Sequence, residues 1–435
     1  MIVNVIGAGL AGCEASYQLL KRGVKVNLYD LKPNNFTPAH KNPNFAELVC
    51  SNSLKSMDKE SAKGLLKQEL LLLDSLLIKV AYETKVPAGQ SLAVDRDEFS
   101  KVVTKKLKEF KNLNFISKEI EKIDTSVPTI IATGPLTSGK LLDSLKSLLN
   151  DNSLYFFDAM SPIVSVDSLN KEHYFIQDRY QKGDDDYINC PLTKEEYDIF
   201  YNELINAESV ILEDFENKKV FESCMPVEVL AKRGEKALLF GPLKPVGLID
   251  PKTNKRPYAV VQLRKENKTG NMYNLVGFQT NLKFGEQKRV FSLIPALKNA
   301  EFIRYGEMHR NTFINAPNNL LETFQLKNYP NIFIAGQLSG VEGYVESISS
   351  GLYAGINMYN YLNNLPSFIL PPFTCVGGLP YFTTHANSKH FQPMNTNFGV
   401  IMSNIGLQKC KNKVELVEKS LNYINNIKGE INGTT

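Results

Sequence analysis

The sequence predicts an α/β chain: one domain built around a parallel sheet, interrupted by a smaller α+β domain. Three features of the 435 residues carry that expectation. A strand, a glycine-rich turn, a helix and a second strand open the chain. A strand ending in Ala-Thr-Gly stands near residue 130, and a third strand runs into glycine near residue 335. Each places glycine at the end of a strand, where an open α/β sheet meets its ligand.

In the first unit the apolar run Ile2 to Ile6 empties into Gly7, Ala8, Gly9, Leu10, Ala11 and Gly12. Helix formers follow from Cys13 to Arg22, then Gly23, then a second apolar run ending at Leu28, Tyr29 and Asp30. Gly7 permits the tight turn, Gly9 lets backbone approach a pyrophosphate, and Gly12 lets helix and strand pack closely. The pyrophosphate belongs on the helix N-terminus, where unpaired N–H groups and the dipole favour negative charge. Asp30 stands where an acid accepts hydrogen bonds from the adenosine ribose. The strand before, the helix after and the acid at the right distance set this apart from a chance glycine turn. Ser16 and Gly23 extend it in the manner of FAD-binding proteins, so the predicted class is a Rossmann-like FAD-binding domain with an inserted smaller α+β domain.

The polar stretch Lys32 to Lys63, containing FAELVCSNSLKS (Phe45 to Ser56), is too long for a connector and reads as a functional loop. Helical patterns run from Ala62 to Tyr82 and from Arg96 to Phe110, with a turn and strand between them at Val86 to Val94. Thr129 to Gly134 predicts a buried strand whose terminal Gly134 makes a second approach to the dinucleotide. Asp158 to Asn189 is polar and broken, and Glu195 to Ile205 reads as a short helix. Leu238 to Phe240, Tyr258 to Leu263 and Tyr273 to Phe278 read as short β-like runs of the insert. The sheet resumes at Asn331 to Gln337, bringing Gly336 and Gln337 to the ligand. Leu338 to Gly355 then starts a helix whose N-terminus favours negative charge on a reduced flavin. The expected division is 1–190 with 305–406 for the FAD-binding domain and 191–304 for the insert. Residues 407–435 form a peripheral tail helix with disordered ends and Val414, Val417 and Leu421 at helical spacing.

A hydrophobic share of 43% and a charged share of 22% describe an ordinary globular protein. Lys67, Gln68, Glu69 and Asp74 interrupt the leucine-rich stretch Leu65 to Val80, which is therefore amphipathic rather than membrane-crossing. The N-terminus enters a strand at once, leaving no room for a signal peptide, so a cytoplasmic location without membrane partner is expected. A net charge of +4 permits a nucleic-acid partner without demanding one. Abundant Lys and Asn with no Trp look like a low-GC genome, which inflates the lysine count for reasons unrelated to binding. The six cysteines (Cys13, Cys50, Cys190, Cys224, Cys375 and Cys410) form no CxxC pair and no zinc spacing, so neither metal site nor disulfide framework is expected.

Long ordered blocks make the sequence resemble the TrmFO family of folate- and FAD-dependent tRNA uracil-5-methyltransferases, from Gly7 to about Gly399. They include FTPAH (Phe36 to His40), the FAELVCSNSLKS loop, VPAG (Val86 to Gly89), AVDRDEF (Ala93 to Phe99) and ATGPLT (Ala132 to Thr137). Further blocks are CMPVE (Cys224 to Glu228), GPLKPVG (Gly241 to Gly247), KRPYAVVQL (Lys255 to Leu263), MHRNTF (Met308 to Phe313), IAGQLSGVEGYVES (Ile334 to Ser347) and FQPMN (Phe391 to Asn395). The resemblance implies methylation without S-adenosylmethionine. Methylenetetrahydrofolate supplies the carbon, reduced FAD the electrons, and NADH or NADPH regenerates the flavin. The implied product is 5-methyluridine in RNA, with the T-loop uridine of tRNA as the expected target. A branch of the family in wall-less bacteria methylates 23S rRNA instead, and the sequence leaves both partners open, as it does the oligomeric state.

Uracil C5 becomes nucleophilic only when a thiolate adds at C6, so a cysteine near the flavin is wanted, with a second group for the C5 proton. By resemblance Cys224 is that nucleophile and Cys50 its partner. Both lie in loop-like segments, which suits reactive thiols; without the resemblance either reads more readily as a buried structural cysteine. Cys13 and Cys190 are expected to be structural. His309, Arg310, Lys255 and Arg256 are candidates for RNA phosphate or the folate glutamate tail, or simply solvated charges. Glu342, Tyr344 and Glu346 are candidates for the flavin or folate pocket, or for core packing. Asn281 and Phe284 stand where the family commonly has His and Trp, and Cys375 to Gly378 is also unusual. The alternative from another class is a flavin oxidoreductase acting on a small molecule.

Overall fold

The computed structural model describes residues 1–37, 39–137, 139–149, 154–159, 161–181, 186–210, 225–265, 270–306, 308–406 and 413–432. Its principal sheet has six strands in the order Gln325–Leu326, Tyr329–Ile334, Thr129–Ile131, Ile2–Ile6, Lys25–Asp30 and Leu113–Ser117. Only the first pairing is antiparallel. Ile6, Ile131 and Ile334 lie side by side in register. The glycine turns after these three strands therefore gather on one edge, where the strand order reverses about Ile2–Ile6, the usual ligand crevice of such sheets.

The first helix, Leu10–Leu20, packs backbone to backbone on the late helix Tyr344–Leu362. Gly351 and Gly355 permit it, since a Cβ at either would run into the Ala11 or Ala15 backbone. Two buried carboxylates cap other helices from a distance. Glu14 accepts from Leu77 N (3.0 Å) and Ser75 Oγ (2.8 Å) at the start of Leu76–Glu83. Glu69 accepts from Cys375 N (2.9 Å) and Val376 N (2.7 Å) at the start of Cys375–His385. Each satisfies orphan N–H groups with negative charge at the positive end of a helix. Burial pushes the Glu69 carboxyl up to about 7.

The second sheet is antiparallel, in the order Phe175–Ile176, Tyr187–Leu192, Ala259–Lys265, Met272–Leu275, Ile163–Ser165 and Phe302–Arg304. It encloses its own core of Tyr197, Phe200, Phe278 and Phe291. The chain leaves the first unit along Leu154–Ala159 and returns along Met308–Phe313, and these two strands pair antiparallel.

Four expectations need correction. The helix read over Ala62 to Tyr82 is two helices, Ala62–Leu72 and Leu76–Glu83: Asp74 adopts a left-handed conformation (φ 61°) and Ser75 caps the second. The β-like run Leu238 to Phe240 is a short helix, Ala237–Phe240, too brief for its period to be read. The broken stretch before Asn189 contributes three strands, so the expected boundary at 190/191 falls inside Tyr187–Leu192 and the second sheet begins at Ile163. The tail helix Lys413–Asn432 is not peripheral. Leu416, Val417 and Ile424 enter the first core, and Ser420 Oγ donates to Glu69 at 2.5 Å. The disorder expected at the tail's ends concerns residues 407–412 and 433–435, outside the described residues. Among the described residues no helix is long and apolar enough to cross a membrane.

Candidate functional site

At the sheet edge Gly7 turns with φ +103°, and Ala8 N donates to Asp30 Oδ2 at 2.6 Å. Asp30 Oδ1 accepts from Lys32 N at 2.9 Å. A carboxylate has about four acceptor positions, so lone pairs remain for ribose hydroxyls. Leu10, Ala11 and Gly12 form the first turn of a helix that no side chain caps and that has no acid in that turn, which leaves its positive end for an anion.

The glycines divide by what surrounds them. A Cβ at Gly12 would collide with the Gly7 carbonyl, and one at Gly7 would press on Ala132 O, so both are required by the protein's own packing. Gly9 adopts φ −77°, ψ −168°, open to any residue, and a Cβ there meets nothing within 4 Å. Neither the backbone nor the packing demands glycine at that position. Open space at the second glycine of this turn, before an uncapped helix, is a cradle of the kind a pyrophosphate fills, and FAD fits the residues present. Gly134 (φ 73°) borders open space as well, while Gly336 (φ 74°) lies against Ala11 and its N–H donates to Ser350 Oγ at 2.7 Å. Gln337 Nε2 donates to the buried carboxylate of Glu342.

The loop expected to be functional packs on this turn. Ala46 N donates to Ala8 O at 2.9 Å, and Phe45 and Leu48 are buried. Cys50, within it, is partly exposed. The Tyr344 hydroxyl, on the first residue of the late helix, accepts from Cys50 N (2.6 Å) and Ser51 N (3.0 Å). Burial, with the Cys50 thiol nearby, raises the Tyr344 phenol well above its usual range, so it stays protonated. Arg96 reaches Leu48 O (2.8 Å) and Cys50 O (3.3 Å), and Arg304 reaches Val49 O (3.1 Å) and Cys50 O (3.3 Å). Arg264 Nη2 donates to Ser51 Oγ (2.8 Å) and its Nε to Asn52 Oδ1 (3.2 Å); Asn52 Nδ2 donates to Lys265 O at 2.8 Å. The Cys50 loop is thus clamped from both units, by Arg96 and Tyr344 on one side and Arg264 and Arg304 on the other.

Sequence reasoning missed these arginines, although each leaves a trace. Arg96 opens a helix, where the dipole disfavours a cation. Arg264 is a buried charge in the largely buried strand Ala259–Lys265. Of the other candidates, Glu346 is buried and pairs with Lys63 while accepting from Thr396 N (3.0 Å). Lys67, beside them, is pushed down to about 8 by burial. Lys255 and Arg256 are exposed on the second unit. Asn281 is buried, its N–H on Glu228 Oε1 at 2.7 Å, and Phe284 is half-exposed. Cys13 and Cys190 are fully buried, and burial raises both thiols far above the usual range. Cys224 and the side chains of His309 and Arg310 lie outside the described residues.

The family model described as glucose inhibited division protein A matches residues 2–366. The chain is 55% identical over 401 residues to methylenetetrahydrofolate--tRNA-(uracil-5-)-methyltransferase TrmFO of Acetivibrio thermocellus, covering 92% of each chain. It is 54% identical over 431 residues to the protein of the same name from Fusobacterium nucleatum, covering 98% of this chain and 99% of that one. Among solved structures, the form I crystal of Aquifex aeolicus GidA superposes with a TM-score of 0.75 at 14% identity, over all of this chain and 76% of that one, a likeness of fold.

Proposed function

The chain belongs to the glucose inhibited division protein A family and, within it, to the TrmFO group, and from that premise we propose that it methylates C5 of a uridine in tRNA with methylenetetrahydrofolate as carbon donor. The observation that carries this reading is identity above half, over nearly the full length of relatives bearing that name. The open cradle at Gly9 and the doubly clamped Cys50 loop support it.

In this reading Gly7, Ala8, Gly9, Leu10, Ala11, Gly12, Asp30, Gly134, Gly336 and Gln337 hold FAD. When bound, the flavin supplies reducing equivalents replenished by NADH or NADPH. The protein's part is positioning and charge. Cys224 provides the thiolate that adds to uracil C6 and makes C5 nucleophilic. Cys50 provides the second thiol, which manages the C5 proton. Its loop cannot drift, because Tyr344, Arg96 and Arg304 hold backbone atoms on both sides of the thiol. The two guanidiniums and the N-terminus of Tyr344–Leu362 favour negative charge that develops beside them.

Incubation with methylene-labelled folate, NADH and either tRNA or large-subunit rRNA tests the proposal. Label in a tRNA uridine, expected in the T-loop, is the predicted result. Label in rRNA alone would reassign the substrate, and label in neither would end the reading. Cys224→Ala is expected to keep the yellow colour and lose methylation. NADH oxidation that runs without folate or RNA and survives that substitution would favour a small-molecule flavin oxidoreductase.

A further inference from the structure

Residues 232–256 join the helix Val227–Ala231 to the strand Ala259–Lys265. They hold seven cations (Lys232, Arg233, Lys236, Lys244, Lys252, Lys255 and Arg256) against two acids, Glu235 and Asp250. All seven cations are exposed, whereas Asp250 is buried with its Oδ1 accepting from Lys252 N at 2.9 Å. The exposed balance is therefore seven to one in a chain that totals 50 basic and 46 acidic residues. A lysine-rich genome raises lysine everywhere and does not account for a local excess. Some exposed lysines elsewhere pair with acids, as in Lys140 with Glu121, Lys194 with Asp198 and Lys283 with Glu208. Among the described residues Lys236, Lys244, Lys255 and Arg256 have no such partner.

The segment is held in shape. Arg179 Nη1 donates to Val246 O (2.6 Å) while its Nε donates to Gln262 Oε1 (2.9 Å), and Tyr180 N donates to Gly247 O (2.8 Å). Ile249 N donates to Gln177 Oε1 at 3.0 Å. The Tyr180 ring lies so close over Gly247, itself at φ +84°, that a Cβ there would meet the ring at 3.0 Å. Two aromatic rings stand open among the cations: Phe240 is 82% exposed and Tyr180 61%. A fixed cationic surface with bare aromatic faces fits a nucleic-acid strand, phosphates on the cations and bases on the rings.

Its place suits the proposed site. Asp178, in the segment that holds the basic loop, faces Gly89 at the tip of a hairpin. From there the strand Ser91–Val94 runs back to Asn52, where Val94 N donates to Asn52 O at 3.0 Å, two residues after Cys50. That four-residue strand spans roughly 13 Å, a few nucleotides along an RNA strand. We propose that residues 232–256, with Tyr180, anchor the backbone of the RNA whose uridine enters the Cys50 site; this rests on the function proposed above.

The test uses the full FAD-loaded chain and a fluorescent tRNA transcript, with binding followed by anisotropy across KCl concentrations. The variant carries Lys236→Gln, Lys244→Gln, Lys255→Gln and Arg256→Gln together. Its slope of log K against log salt is expected to fall by about three, with affinity near 100 mM salt reduced tenfold or more. Flavin content should not change, and KM for RNA should rise. Phe240→Ser is expected to weaken binding about five-fold or more with the slope intact. A control set, Lys105→Gln, Lys118→Gln, Lys122→Gln and Lys140→Gln, should leave the slope near the parent value. A quadruple variant with the parent slope, or a control that lowers it equally, would overturn the surface while leaving the methylation reading standing. Parent protein that holds FAD and binds no RNA would overturn both.

Discussion

Replacing Gly9 with alanine separates a glycine kept for a ligand from one kept for the fold. The backbone there is already in a region alanine occupies, and the added Cβ meets no protein atom within 4 Å. Stiffening the unfolded chain should stabilise the fold by about 0.4–1 kcal/mol. Alanine is a poorer N-cap than glycine, by roughly the same amount in the opposite sense. The two nearly cancel, so flavin-free Gly9→Ala should melt within about 2 °C of the parent. Gly12→Ala behaves differently, because its Cβ strikes the Gly7 carbonyl and forces helix and strand apart. A cost of about 1–3 kcal/mol is expected there even without flavin, as for other overpacked cores. Adding FAD then reveals the first variant. Ligand at a hundred times its Kd stabilises by about 2.7 kcal/mol, and Gly9→Ala should lose most of that rise while the parent shows it in full. The assay is thermal melting of stripped protein, with and without FAD, beside flavin titration by quenching. Parent-like FAD affinity in Gly9→Ala would refute the reasoning, as would a stripped-protein Tm lowered as far as that of Gly12→Ala.

Tyr344→Phe leaves the Cys50 and Ser51 N–H groups without their acceptor. It should cost about 1–3 kcal/mol in urea unfolding and reduce methylation far more than flavin binding; equal losses in both would show that the hydroxyl supports the fold alone. Glu69 makes stability depend on pH. Its carboxyl is raised from the ordinary 4.5 to about 7, so the folded chain takes up a proton that the unfolded chain does not. Its contribution is full below pH 4.5 and is lost as pH rises through 7, a change of about 2 kcal/mol between pH 5.5 and 7.5. Urea unfolding of the parent and Glu69→Gln at those two pH values should show a flatter dependence in the variant. Parallel dependences would exclude Glu69 as the source.

The elements legible in the sequence are those whose constraints are local. The turn Gly7 to Gly12, the acid Asp30 and the strand ends at Gly134 and Gly336 each follow from a few adjacent residues, and the sheet brings their glycines to one edge. The break at Asp74 escaped notice because leucines continue at helical spacing on both sides, while the left-handed residue that stops the helix is a single aspartate. The clamp on Cys50 was illegible for another reason. Arg264 and Arg304 bind atoms more than two hundred residues away, and no periodicity encodes a guanidinium reaching a distant carbonyl. A buried arginine in a buried strand announces that some partner exists without saying which.

The ribbon formed by Leu154–Ala159 and Met308–Phe313 sets Leu154 opposite Phe313 and Ala159 opposite Met308. The long excursion into the second sheet therefore leaves and re-enters through a single doorway. To the host sheet the detour adds closure entropy only logarithmically, about 0.6 kcal/mol for each doubling of the length enclosed. Architecture of this sort tolerates growth or remodelling of the guest module while the nucleotide platform beneath keeps its strand order.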